Sequence, residues 1–151
     1  MTSSFEATFG YPAGDNKVRL VDEADLAAVT ELATVPVAAA DLMAFYGYVG
    51  EVVLGDVGNG YFIHPAQLTL GHYREQGTVF LPADENPHGL VFASDGGGIL
   101  FAADSKGAVH RSSAASFSSG FERVTENLTE FLDLIHRSVV RFAATGEPGL
   151  I

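Results

Sequence analysis

Residues 89–104, which read GLVFASDGGGILFAAD, constrain the fold more than any other part of this chain. Two apolar runs flank Asp95 and three consecutive glycines. Glycine adopts positive φ without steric cost, and a tight reversal between two strands requires that freedom. Because both flanks are apolar and contain aromatic residues, the pattern predicts a buried hairpin at the centre of a sheet. The residues expected to have structural roles in it are Asp95, Gly96, Gly97, Gly98 and Asp104.

Apolar residues recur at helical spacing on both sides of this hairpin. The predicted helices cover residues 22–34, 38–47, 65–76 and 126–144. Asp22 is expected to cap the first helix, with Asp25 facing its amide dipoles, and Thr125 is expected to cap the last. The last helix carries one apolar stripe wide enough to cover a sheet face, and Gly146 ends it.

Short apolar or β-branched runs predict strands between these helices. They lie at residues 51–54, 61–64, 78–81 and 108–111, in addition to the two strands of the hairpin. Helices at both ends with strands between them argue for an α+β fold. We expect N-terminal helices, a central and mostly antiparallel sheet, and a C-terminal amphipathic helix packed on that sheet. The length of 151 residues predicts a single domain over residues 1–151.

The chain has no cysteine, which excludes disulfides, thiolate metal sites and thiol catalysis. Its first residues have neither the basic nor the apolar region of a secretory signal. No apolar run approaches the roughly 20 residues of a membrane span. We therefore expect a cytoplasmic protein that has no membrane partner.

Charge is distributed unevenly along the chain. Nineteen acidic residues stand against eight basic ones, a net charge of −11, and no Lys or Arg occurs between Arg19 and Arg74. That interval contains seven acids: Asp22, Glu23, Asp25, Glu31, Asp41, Glu51 and Asp56. Such a surface repels phosphate backbones, which argues against nucleic-acid binding, and attracts a cationic protein. The alternative is that the acidity only maintains solubility.

No catalytic or metal-binding pattern stands out. The glycine run lacks the Lys-Ser/Thr tail of a phosphate-binding loop, and neither a GxSxG nor an HExxH motif occurs. His64 and His110 lie on predicted strands and could meet across the sheet. We expect no enzyme activity, cofactor or metal, and a binding module instead.

Six residues are candidates for contact with a partner. Four are acids, and two are tyrosines, which offer a large contact area with a polar tip. The six are Glu51, Asp56, Asp84, Glu85, Tyr46 and Tyr48. Of the three tyrosines Tyr46, Tyr48 and Tyr61, which surround the acidic interval, two are expected to belong to the core.

Four segments together resemble the SUKH superfamily, which includes yeast cell-wall synthesis regulators and bacterial immunity proteins. Residues 36–48 resemble its proline-led helix, residues 57–64 its glycine-bearing strand entry, and residues 126–132 the start of its last helix. In residues 90–104, its hairpin motif aligns with Phe92, Asp95, the three glycines, Phe101 and Asp104. The resemblance covers about residues 22–142. Ile99 departs from the motif, which is usually acidic at that position.

The resemblance implies an immunity protein of a polymorphic toxin system. Such a protein binds a cognate toxin, often a nuclease or a deaminase, and occludes its active face. A regulatory or scaffold domain of the same fold, with a host protein as its partner, is the alternative. An unrecognised small-molecule enzyme or ligand-binding protein is a third possibility, and a deep pocket that joins His64 or His110 with a carboxylate would favour it.

Overall fold

The computed structural model describes residues 16–55, 57, 60–81 and 88–146, and these residues form an α+β fold. Helices and strands are labelled below in chain order. They are β1 (Asn16–Leu20), α1 (Glu23–Leu32), α2 (Ala40–Tyr46), β2 (Val49–Leu54), β3 (Tyr61–Ile63), α3 (Ala66–Gln76), β4 (Val79–Phe80), β5 (His88–Asp95), β6 (Leu100–Asp104), β7 (Val109–Ser112), β8 (Phe121–Thr125) and α4 (Leu128–Thr145).

The strands form one antiparallel sheet in the order β1-β2-β3-β5-β6-β7-β8. β5 pairs with β6 along one of its edges. β3 pairs with residues 93–95 of β5, and β4 pairs with His88 and Gly89 near its start. β3 and β4 therefore share the other edge of β5, and α3 connects them. The β5–β6 pair lies at the centre of the sheet, as the apolar flanks of the glycine run predict.

The four predicted helices are all present, and each end lies within two residues of the predicted one. Asp22 caps α1 and Asp25 completes a capping box, because each side chain accepts the backbone N–H of the other residue. The prediction that Thr125 caps the last helix is wrong. Thr125 is the final residue of β8, and Asn127 caps α4 by accepting the amide of Glu130 at 2.8 Å.

Two strands of the structure, β1 and β8, lie where the sequence pattern predicts none. β1 has no buried residue, and β8 buries only its two end residues. β8 lacks the regular alternation of apolar and polar residues by which a half-buried strand is recognised, and in β1 that alternation covers only the four residues 17–20. Phe5, Phe9 and Tyr11, which by their sequence suggest a short strand or an arm packed on the body, lie outside the described residues.

The main core lies between the sheet and the helices. Phe131 of α4 lies on β5 and β6, with its ring centroid 5.6 Å from that of Phe92 and 5.1 Å from that of Phe101. A second cluster contains alternate residues of the same strands, including Val91 and Ala102, which pair across β5 and β6. The central strands are therefore buried on both faces.

The turn between β5 and β6 depends on one carboxylate and one glycine. Asp95 Oδ1 accepts the amides of Gly97 at 2.9 Å and Ile99 at 3.0 Å. Gly98 has a φ of +86°, which residues other than glycine rarely adopt. Gly97 has no positive φ, so the strained position of the turn is Gly98.

Candidate functional site

The elements at the β1 end of the sheet carry a surface of exposed carboxylates, here called the acidic flank. It comprises Asp22, Glu23, Glu31 and Glu51, which lie on or beside α1 and β2. Glu51 is half-buried and the other three are exposed. Asp41 of α2 does not belong to it, because its carboxylate lies beside Gly107 in the turn between β6 and β7. Glu31 forms an ion pair with Arg74 of α3. The structure thus places one predicted contact residue, Glu51, on the same flank as Asp22, which the sequence predicted only as a helix cap. Glu23 and Glu31 of the flank were marked only by their charge.

Asp25 is the one acid of this region that points inward, and it forms an ion pair with Arg19 of β1. Its side chain is 1% exposed, and the Arg19 side chain is 34% exposed. Arg19 Nη1 lies 2.6 Å from Asp25 Oδ2, and Arg19 Nη2 lies 3.3 Å from Oδ1. Gln67 of α3 also donates to Asp25 at 3.4 Å. We call the Arg19–Asp25 contact the β1 clamp, because it ties the edge strand to α1.

A glycine makes room for the β1 clamp. A Cβ on Gly50 of β2 would lie 2.6 Å from Arg19 Nη1 and 2.8 Å from Asp25 Oδ2. These distances are shorter than van der Waals contact, so the guanidinium passes over β2 only because residue 50 has no side chain. The sequence alone showed no function for Gly50.

Each partner of the β1 clamp favours the charged form of the other. The hydrogen bond from Arg19 is the largest cause that lowers the pKa of Asp25, and burial opposes it. The hydrogen bond to Asp25 likewise raises the pKa of Arg19. Three carboxylates, those of Asp22, Asp25 and Glu51, lie within 4 Å of this one guanidinium. The group therefore carries a net negative charge.

Three apolar side chains project beside this charge. Val18, Leu20 and Tyr48 are 58%, 74% and 77% exposed, and we call them the edge patch. The Val21 amide donates to the Tyr48 carbonyl at 3.1 Å, and Leu20 pairs with Val49. The backbones of Leu20 and Tyr48 are consequently neighbours. Tyr48 was a predicted contact residue, whereas the exposure of Val18 and Leu20 was not predicted.

Tyr46 is not available to a partner, which corrects its assignment as a contact residue. It is 1% exposed, and its hydroxyl donates to the His64 carbonyl at 2.7 Å and lies 2.8 Å from Thr69 Oγ1. Burial raises the pKa of Tyr46. Tyr61 is also buried, which confirms the prediction that two of the three tyrosines belong to the core. The predicted contact residues Asp56, Asp84 and Glu85 lie outside the described residues.

The hairpin carboxylates hold turns in place. Asp95 accepts the amides of Gly97 and Ile99, as described above, so those two amides of the turn are not free to hold a phosphate. Asp104 is buried and its Oδ1 accepts the amides of Lys106 at 2.9 Å and Ala108 at 3.1 Å. Its Oδ2 lies 3.2 Å from His110 Nε2. All three contacts stabilise the reversal between β6 and β7.

His64 lies in a second polar cluster, at the end of β3. Its Nε2 lies 2.8 Å from Ser94 Oγ, and its ring centroid lies 5.4 Å from that of His72. The Nδ1 atoms of both histidines are buried with no hydrogen-bond partner among the described residues. Burial is the main cause that lowers the pKa of His64 to about 4, and His72 contributes. His64 is therefore neutral at pH 7.

The prediction that His64 and His110 meet across the sheet is wrong. β5 and β6 separate β3 from β7, which places the two histidines about 14 Å apart at the usual strand spacing. Within the described ranges, no three His, Asp or Glu side chains converge in a manner that could hold a metal ion. A groove of about 370 Å³ at the β7–β8 edge is lined by Arg111, Ser112, Ser113, Gly120, Phe121, Glu122 and Val124. It contains neither His64 nor His110.

No protein-family model and no curated protein matches this chain. None of the helices in the described part of the chain has the length and apolar character needed to cross a bilayer.

Proposed function

We propose that this protein is a non-catalytic immunity protein that binds a cognate bacterial toxin and occludes its active face. The observation that carries the proposal is the acidic flank, which belongs to a stretch of chain with no Lys or Arg between residues 19 and 74. Carboxylates that are grouped on one flank attract a cationic protein surface and speed its association. The resemblance of four segments to the SUKH superfamily supplies the class of partner: a toxin domain with a basic surface, such as a nuclease.

The charge that a partner would meet is that of the exposed acids. Asp25 is neutralised within the fold by Arg19, and Asp104 is occupied by two amides and His110. Glu23 is an exposed member of the flank in the first turn of α1, and Glu51 is a half-buried member on β2. A nuclease must attract phosphate, so its active face is positive. The acidic flank is complementary to such a face and would cover it without any chemical step.

Co-expression tests the proposal. Toxin domains encoded next to this gene are expressed with the wild-type protein, and cell growth is measured. We expect growth to be rescued from one of them, and the double variant Glu23→Gln/Glu51→Gln to rescue less well. The matched control is Glu122→Gln/Glu126→Gln, which removes the same charge near β8 and should rescue as the wild type does.

Failure of every neighbouring toxin to be neutralised would overturn the immunity role. If a host protein were then bound through the same flank, a regulatory or scaffold domain would be the better assignment. Salt provides a second measurement. Because the Debye length falls from about 30 Å at 0.01 M salt to about 8 Å at 0.15 M, association steered by the flank should slow markedly over that range. An association rate that salt leaves unchanged would contradict the electrostatic mechanism.

A further inference from the structure

The edge patch is unusual for its position in the sheet. β1 is the last strand at its end of the sheet among the described residues. Natural proteins usually protect such an edge with charges, prolines or a covering element, because its backbone can pair with another chain. β1 does carry Lys17, but the edge patch places three large exposed apolar side chains on and beside it.

The opposite edge of the sheet differs. β8 exposes Glu122 and Arg123, and Arg123 forms an ion pair with Glu126 at 3.1 Å. None of the large exposed apolar residues in the described ranges lies on β8. One end of the sheet is therefore polar with charges of both signs, whereas the other is apolar within an acidic surround. The two edges differ in the feature that decides whether a partner strand can dock.

The charges around the edge patch select the partner. The carboxylates of Asp22, Asp25 and Glu51 lie within 4 Å of Arg19. Glu23 in the first turn of α1 and Lys17 of β1 add one charge of each sign. The local net charge is thus −2. An apolar contact site with a negative rim fits a segment that presents an apolar side chain beside Lys or Arg.

We propose that the edge patch is where the basic partner docks, through an extended segment that pairs along β1. An aliphatic or aromatic side chain of the segment packs on Tyr48 and Leu20, and its Lys or Arg residues face Asp22, Glu23 and Glu51. This inference rests on the proposed function and adds its contact site. Strand addition of this kind derives affinity from main-chain hydrogen bonds and specificity from side-chain pockets.

Charge disfavours the two other occupants of such an edge. A second copy of the chain would bring the same negative rim and a net charge of −11 to the interface. Residues 1–15 of this chain contain Glu6 and Asp15 and no Lys or Arg, so they offer no cation to the rim. The partner that complements both the apolar and the charged part of the site is a basic segment of another protein.

Peptide selection tests the site without a toxin. The full-length protein is used to select binders from a phage library of random peptides. We expect the selected peptides to be rich in Lys and Arg and to contain an aromatic or aliphatic residue. Tyr48→Ser and Leu20→Ser should each weaken their binding by about tenfold or more, as expected for central contact residues. Val140→Ser, which removes an exposed valine on α4, is the matched control and should leave binding unchanged.

The absence of basic peptides from the selection, or binding that Tyr48→Ser leaves at the wild-type level, would overturn the docking site. The two proposals fail separately. Binding of basic peptides at the patch without neutralisation of any neighbouring toxin contradicts only the immunity role. Neutralisation by Tyr48→Ser and Leu20→Ser at the wild-type level contradicts only the docking site.

Two further measurements address the other occupants. Because the chain has no cysteine, Tyr48→Cys and Val140→Cys each introduce a single thiol that maleimide can label. We expect similar labelling rates at 1 M salt, which screens the carboxylates that otherwise disfavour the reactive thiolate at residue 48. Much slower labelling at residue 48 under these conditions would mean that the chain covers its own patch. Sedimentation should give a monomer for the wild type. If the wild type were a dimer and Leu20→Ser were a monomer, the edge patch would be the contact between two copies of the chain.

Discussion

The edge strand β1 and the central strand β6 have the same length, but they are stabilised by different interactions. All five residues of β6 are buried, whereas none of the five residues of β1 is. β6 lies between β5 and β7, with packed side chains on both of its faces. β1 is paired with β2 and tied to α1 by the β1 clamp.

This difference indicates how the fold separates stability from recognition. Burial of apolar surface is insensitive to pH, so the centre should respond to acid only through buried polar groups such as His64. The edge depends on one ion pair and leaves its apolar residues exposed. A strand held in this manner can keep Val18, Leu20 and Tyr48 accessible without unfolding, and that is the condition for the docking site proposed above.

Substitutions in the two strands should differ most in the free energy of unfolding. Phe101→Ala in β6 removes a buried ring that contacts Phe131, and we expect a loss of about 3–5 kcal/mol. Val18→Ala in β1 removes two exposed methyl groups, and its effect should stay within about 0.5 kcal/mol. Urea denaturation of both variants provides the measurement. A similar loss from the two would show that β1 is buried in solution and would contradict the comparison.

Acid should weaken the centre before it weakens the edge. The pKa of His64 is lowered to about 4 in the folded protein, against about 6.5 in the unfolded chain. Between these values the unfolded chain binds a proton that the folded protein does not, so stability falls as pH falls from 6.5 to 4. The difference of about 2.5 between the two pKa values corresponds to a loss of about 3 kcal/mol in the free energy of unfolding.

The clamp at the edge should respond only at lower pH. The pKa of Asp25 is lowered from its ordinary value of 3.8, so its contribution is complete above that value. It is lost as pH falls through the lower, folded pKa. Urea denaturation across the pH range tests both windows. His64→Gln should reduce the slope between pH 6.5 and 4, whereas His136→Gln on the exposed face of α4 should keep it. A slope that survives His64→Gln would rule out His64 as its source.

Breaking the β1 clamp should lower the free energy of unfolding by less than the loss of the Phe101 ring. Asp25→Asn leaves the Arg19 guanidinium opposite a neutral amide, and because Arg19 is partly exposed we expect a loss of about 2–3 kcal/mol. Glu51→Gln is the control, because Glu51 lies 3.7 Å from Arg19 and is half-buried, and it should cost about 0.5 kcal/mol or less. Hydrogen exchange localises the effect: amides of β1 should exchange faster in Asp25→Asn while those of β6 stay protected. Uniform loss of protection would mean that the edge and the centre unfold together.

The same contrast explains which parts of the fold could be predicted. The central hairpin and the four helices have patterns that follow from burial, and each was predicted close to its observed position. β1 and β8 lie at the two edges, where few residues need to be apolar, so their sequences carry little periodic signal. The capping box of Asp22 and Asp25 is local and could be predicted from spacing.

The site was less predictable because its contacts are tertiary. Nothing in the spacing of Arg19 and Asp25 indicates that they meet, since the strand that carries Arg19 was not recognised. Tyr46 and Tyr48 are two residues apart in the same acidic interval, but Tyr46 belongs to α2 and points into the core, whereas Tyr48 follows the helix end and is exposed. Composition identified the acidic surface, and only the fold separates its exposed acids from the buried Asp25.

The smallest expected effect concerns the turn at the centre, and it distinguishes backbone geometry from charge. Gly98→Ala forces a side chain into a positive φ and places its Cβ 3.0 Å from the Ala115 Cβ, which should cost about 1–2 kcal/mol. Residue 97 has no positive φ, so Gly97→Ala should lower the free energy of unfolding by less.

Acid should separate this turn from the clamp. The penalty of Gly98→Ala relative to the wild type should be the same at pH 7 and pH 3, because no titrating group causes it. The penalty of Asp25→Asn should shrink once the wild-type carboxyl takes up a proton below its lowered pKa. Thermal unfolding of the three proteins across this pH range tests the contrast. If both penalties shrank in parallel, the turn and the clamp would depend on one electrostatic network, and the penalty of Gly98→Ala could no longer be attributed to backbone geometry alone.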